Sequence, residues 1–203
     1  MEIIVATTNA HKFGEVAAIL NPLLPAGLTL AALTAADTVT EPDENGATFE
    51  ANALIKARFY AHVTGKPCLS DDSGLCVDAL NGAPGIRSSR YAPTDAARIE
   101  KLLAELAYAG AYDSAERTAR FVCCAALALP DGEAFTAEGV CEGVIASEPY
   151  GAGGFGYDPV FLLTNQSRTM AQLSSSEKND VSHRGRAMRS IAAKIARIPG
   201  ISL

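Results

Sequence analysis

Long apolar runs, paired cysteine spacings and an excess of positive charge are all missing from this chain, and each absence removes a class of function. No stretch of the 203 residues approaches the roughly 20 consecutive apolar residues of a membrane-spanning helix, so no membrane partner is expected. Met1-Glu2 runs straight into Ile3-Ile4-Val5 without a basic leader, which points to a cytoplasmic protein. The five cysteines are an odd set with no CxxC spacing, and Cys123 and Cys124 are adjacent; that usage suits reduced thiols better than a disulfide framework or a zinc site. His11, His62 and His183 are scattered along the sequence. The formal net charge of -6 argues against nucleic acid as a partner, because a basic face supplies most of that affinity. No repeat, low-complexity tract or long linker divides the chain, and its 48% hydrophobic content supports a substantial core. A single domain over residues 1–203 is expected.

The chemistry that is present gathers in two islands. Asp71-Asp72-Ser73-Gly74 sets two adjacent carboxylates between apolar Pro67-Cys68-Leu69 and Leu75-Cys76-Val77. Strand interiors disfavour Asp, and an unpaired buried charge is costly, so a doublet at a strand end points to a cation or a proton transfer. A solvated turn is the plain alternative. An ordinary Asp, with a pKa of roughly 3.9, would be ionised at neutral pH and able to hold a hard cation. In the second island, Gly153-Gly154-Phe155-Gly156-Tyr157-Asp158-Pro159, two rings stand among glycines; they would stack on a planar ligand or simply pack in the core. Metal and phosphate chemistry at one island and recognition of a flat ring at the other would fit a nucleoside triphosphate. Lys12, Lys56, Lys178 and Arg184 are the cations placed to meet such a polyanion, although a charge run near Lys178 would ordinarily be a solvated face.

Periodicity places these residues on elements. Ile3 to Thr7 reads as a buried strand; Thr8-Asn9-Ala10-His11 then turns into a helix with Phe13, Val16, Ala17 and Leu20 at helical spacing. Its N-terminal amides and Lys12 could receive phosphate, although GxxxxGK[ST] is absent and an ordinary capped helix start would look the same. Leu28 to Leu33 reads as a strand, Glu41 to Gly46 as an acidic turn, and Thr48 as the cap of a helix from Phe49 to about Thr64. A strand over Leu75 to Leu80, a helix capped by Thr94, and strands over Arg120–Leu129 and Ala134–Ser147 follow. Ser174 and Glu177 match a capping box, and Ser182 opens a last helix whose Met188, Ile191, Ile195 and Ile198 share a face. Early alternation followed by consecutive strands predicts an α/β fold with a mixed sheet.

Taken in order, six motifs resemble the inosine triphosphate/xanthosine triphosphate pyrophosphatases: Ala6 to Lys12, Thr48 to Ala57, Asp71 to Leu75, Gly82 to Ile86, Gly154 to Pro159, and Glu177-Lys178-Asn179 with Ser182-His183-Arg184. The likeness runs from Ile4 to about Ala193. It implies a twisted mixed sheet flanked by helices, an active-site cleft between two lobes, commonly a homodimer, and magnesium-dependent hydrolysis of ITP, dITP or XTP to the monophosphate and pyrophosphate. By the same resemblance Asp72 is the catalytic carboxylate and a metal ligand, and Glu44 is the second acidic metal position, with Asp43 the alternative in a turn of variable length. Thr7, Thr8, Asn9, Ala10, His11, Lys12, Lys56, Ser73 and Lys178 correspond to phosphate or substrate contacts. Phe155, Gly156, Tyr157, Asp158, His183 and Arg184 correspond to the nucleobase pocket. His11, Asn81 and Arg87 depart from the family's frequent Gly, Gly and Tyr, which touches loop shape and substrate preference but removes no expected catalytic group.

Two other classes remain in view. A nucleotide-binding sensor would keep the pocket but would need neither Asp72 nor the acidic turn. An aspartyl-nucleophile phosphatase needs DxDx[TV], a spacing that Asp71-Asp72-Ser73-Gly74 lacks.

Overall fold

Residues 1–37, 40–164 and 166–198 are described by the computed structural model. Six strands, β1 (Glu2–Val5), β2 (Thr29–Ala32), β3 (Cys68–Val77), β4 (Thr118–Ala128), β5 (Ala134–Ile145) and β6 (Phe161–Leu163), form one sheet in the order β2-β1-β3-β4-β5-β6. It is mixed: β1 runs parallel to both β2 and β3, whereas β6 is antiparallel to β5. The helices are α1 (Ala10–Leu20), α2 (Phe49–Thr64), α3 (Asp95–Tyr108), α4 (Ser175–Val181) and α5 (His183–Ile195). This is the expected α/β class. Among the described residues no helix is long and apolar enough to cross a membrane.

The chain divides into two compact units. One comprises Met1–Asp72, Cys123–Gly139 and the segment from His183; the other comprises Ser73–Val122 and Val140–Ser182. In the first, the two-residue period of a strand sends Ile3, Val5 and Leu69 into a core with α1 and α5 residues Val16, Leu20, Met188 and Ile191. The alternate residues Ile4, Ala6 and Cys68 pack with Ala53, Ala57 and Tyr60 of α2 on the other face. In the second unit Leu75, Val77, Phe121 and Phe161 pack with Ile99, Leu102 and Leu106 of α3.

Local signals set most helix boundaries. Thr48 caps α2 by accepting the amide of Ala51, and left-handed Gly65 closes it; Thr94 caps α3 through Ala97 in the same way. The Ser174/Glu177 capping box is formed at α4. The strand expected over residues 75–80 instead ends at Val77 and becomes a 3-10 turn, Asp78–Leu80. A larger correction concerns the carboxylate doublet. It lies in the middle of β3, neither at a strand end nor in a turn, because distant cations meet it there.

Candidate active site

Strand alternation assigns the two adjacent carboxylates to opposite faces, and with that to different partners. Asp71 points with Leu69 toward α1 and α5. It is 5% exposed, accepts two hydrogen bonds from the Arg184 guanidinium at 3.3 and 3.1 Å, and lies 3.5 Å from Lys12 Nζ. Burial alone would raise its pKa, but Lys12, then Arg184 and Lys56, outweigh that cost and hold the group well below the usual carboxylate range. Arg184, 1% exposed, also pairs with Glu15. The Cys123 thiol lies close to Asp71 and is pushed well above its ordinary pKa, chiefly by burial.

Asp72 points with Cys68 and Ser70 toward α2. Its Oδ2 accepts from Asn52 Nδ2 at 3.1 Å, and its Oδ1 lies 3.9 Å from Lys56 Nζ. Lys56 reaches Glu44 at 3.0 Å as well, so one ammonium stands between the two carboxylates. Burial dominates here and raises the Asp72 pKa, although Lys56, the Asn52 donor and Lys12 oppose it. A half-buried carboxylate with a raised pKa is a stronger base than an exposed one and a ready ligand for a hard cation.

Asn52 is buried at 1% exposure and uses both ends of its amide, because Oδ1 accepts the Gly46 amide at 2.8 Å. Gly46 has no room for more: a Cβ there would lie 2.7 Å from Asn52 Oδ1 and 2.7 Å from Ala51 Cβ. The turn that carries Glu44 is thus fastened to the helix that carries Lys56.

At the start of α1, Asn9 Oδ1 already accepts the amides of His11 and Lys12, at 3.0 and 3.1 Å. A cavity of about 340 Å³ lies against this turn, lined by Thr7, Thr8, Ala10, Phe13, Leu33 and Thr34. Lys12 is half-buried, whereas Thr8, Asn9, Ala10 and His11 are exposed.

In the second unit Asp158, also buried, accepts the Phe155 amide at 2.9 Å and the Lys178 ammonium at 2.7 Å. That pairing holds Lys178 Nζ 4.5 Å from the centre of the Phe155 ring. Asp95, in the first turn of α3, accepts the Gly156 amide at 2.7 Å. The loop borders a cavity of about 590 Å³ lined by Asp95, Ile99, Leu103, Gly153 and Phe155 among others. Tyr157 is buried, and its hydroxyl donates to the Ser88 carbonyl at 3.0 Å.

A profile of the Ham1 family matches residues 3–194. The chain belongs to the Ham1 family. It is 47% identical over 203 residues to a protein from Exiguobacterium sibiricum named dITP/XTP pyrophosphatase, covering 98% of this chain and 100% of that protein. A protein of the same name from Geobacter sulfurreducens is 48% identical over 189 residues, covering 92% of each. The solved structure of a HAM1 protein from Coxiella burnetii superposes with a TM-score of 0.87 at 41% identity, covering 98% of this chain and 100% of that one.

In this Ham1-family chain the structure brings Glu44, Lys56 and Asp72 together, and leaves Asp43 exposed. Ser73 follows in β3, half-buried. Lys178, His183 and Arg184 are buried, not a solvated face, because Asp158 and Asp71 compensate Lys178 and Arg184 from remote parts of the sequence. Tyr157 is a core residue, which leaves Phe155 as the half-buried ring of its loop. Asn52 escaped the sequence reading. An Asn in a helix interior is unfavourable unless its side chain has work to do, and that was the available signal.

Proposed function

We propose that the chain hydrolyses deaminated purine nucleoside triphosphates, ITP, dITP and XTP, to the monophosphate and pyrophosphate. The observation that carries this reading is the nearly full-length likeness to dITP/XTP pyrophosphatases, joined to the carboxylate and lysine cluster around Asp72. Asp72 orients the attacking water and takes its proton, a role suited to a carboxylate whose basicity burial has raised. Lys56 and Lys12 contact phosphate oxygens. Phe155, with Lys178 held over its ring, offers a face to the base.

Magnesium is the metal proposed. Among the described residues no three His, Cys, Asp or Glu side chains converge into a cage. Two carboxylates are nonetheless sufficient for magnesium, which takes its remaining ligands from water and substrate phosphates. Lys56 between Glu44 and Asp72 already marks a place where positive charge is favoured. When bound, the ion supplies neutralisation of phosphate charge that grows as the anhydride bond breaks. A cytoplasmic setting accords with five free thiols, and a homodimer rests on the family resemblance alone.

The test is a panel of nucleoside triphosphates, with product identified. Pyrophosphate from ITP and XTP, with ATP far slower, is expected. Inorganic phosphate as sole product would indicate phosphatase chemistry instead, and no product with retained nucleotide binding would indicate a sensor.

A further inference from the structure

Asn52 sits at the joint between two parts of the cluster, and its amide ties the backbone of the Glu44 turn directly to Asp72. Through Oδ1 it holds the Gly46 amide at 2.8 Å, and through Nδ2 it donates to Asp72 at 3.1 Å. The first bond fixes the short turn that presents Glu44; the second fixes which oxygen of Asp72 is left to face Lys56. A water molecule could not replace this side chain without losing the fixed direction between donor and acceptor, since a bridging water rotates and an amide at 1% exposure does not. The absence of a Cβ at residue 46 is a condition of the same joint, because a methyl group there would press on both Ala51 and the Asn52 oxygen.

We infer that Asn52 is a positioning residue that sets the relative placement of Glu44 and Asp72, and that it affects turnover more than substrate affinity. The inference rests on the hydrolase reading above. Lys12 and Lys56 hold the phosphates without it, so KM should change little, whereas a misplaced base and ligand pair costs turnover by up to about 100-fold.

Three variants and two readouts test it. Hydrogen exchange at the Gly46 amide in substrate-free protein reports the joint independently of activity, and kcat and KM for ITP report its use. Asn52→Ala should accelerate Gly46 exchange by on the order of tenfold, the equivalent of one lost hydrogen bond, and should lower kcat with KM nearly constant. Asn52→Asp keeps an acceptor for Gly46 but no donor for Asp72, so exchange should stay slow while kcat still falls. Gly46→Ala attacks the joint from the other side and should reproduce the kcat loss with Asn52 in place. Unchanged Gly46 exchange in folded Asn52→Ala would overturn the tie, and accelerated exchange with wild-type kcat would overturn the positioning role. Accelerated exchange in a protein whose wild type releases no pyrophosphate would leave the tie standing and refute the hydrolase reading alone.

Discussion

Replacing Asp71 by Asn should destabilise the protein, whereas the same change one residue later should abolish turnover and leave stability nearly intact. Asp71→Asn removes the charge that two Arg184 hydrogen bonds and Lys12 share at 5% exposure, and leaves a guanidinium at 1% exposure with Glu15 as its remaining described carboxylate partner. Breaking one side of a buried pair costs about 3–5 kcal/mol, and the surviving Glu15 contact argues for the lower end. For a chain of this size that corresponds to a fall in Tm of roughly 6–12 °C. The pH dependence has a definite sign. The folded-state pKa of Asp71 is depressed, so its contribution is complete above the unfolded value of roughly 3.9 and is lost as pH falls below it. The stability gap between wild type and Asp71→Asn should therefore be constant down to about pH 4 and begin to narrow below it. Asp72 is shifted the other way by burial, so Asp72→Asn removes a charge that folding disfavours and should be neutral or slightly stabilising, with turnover reduced by orders of magnitude. Thermal unfolding from pH 3 to 8, paired with pyrophosphate release from ITP, measures both. Equal Tm for wild type and Asp71→Asn at pH 7, or near-wild-type turnover in Asp72→Asn, would refute the division of labour between the two faces of β3.

Activity should disappear in excess chelator and return with magnesium, while calcium, larger and looser in its geometry, should restore little; full activity in chelator would remove the metal from the proposal. Arg184→Ala should lower ITP and ATP efficiency by the same factor, because its guanidinium is committed to Asp71 and Glu15. A selective loss of ITP efficiency, which for a hydrogen-bonded base could reach about 10⁴-fold, would instead support the base-recognition role that the motif resemblance implies for Arg184.

The parts of this molecule written in local code were legible in its sequence. Thr48, Thr94 and Ser174 announce their helices because a cap acts within three residues, and the apolar stripe of α3 needs only its own turns. Asp72 stood out as half of the carboxylate doublet and Lys56 as a candidate cation, Glu44 was picked out by motif resemblance, and the structure places the three together. Asp71-Asp72 was assigned to a strand end for a sound local reason, since Asp is poor in strands. The compensation came from Lys12, on another element, and from Arg184, 113 positions away, which no window along the chain contains. The same distance effect hid the burial of Lys178, whose partner Asp158 is 20 positions off. Whether Tyr157 stacks on a ligand or packs in the core stayed open in the sequence because its hydrogen-bond acceptor, Ser88, is 69 positions upstream.

The discontinuity of the first unit has a consequence for synthesis. Its core needs β1, α1 and β3 from the beginning of the chain, part of β4 and β5 from the middle, and α5 from the end. Asp71 leaves the ribosome after Lys12 but 113 residues ahead of Arg184, the second cation that meets it. At about 5–20 residues per second that interval is on the order of ten seconds. Throughout it, Ile3, Val5 and Leu69 have no Met188 or Ile191 to cover them. Over that interval the nascent chain carries a half-built apolar surface and a carboxylate that has Lys12 but not yet Arg184, and α5 is the helix that completes both.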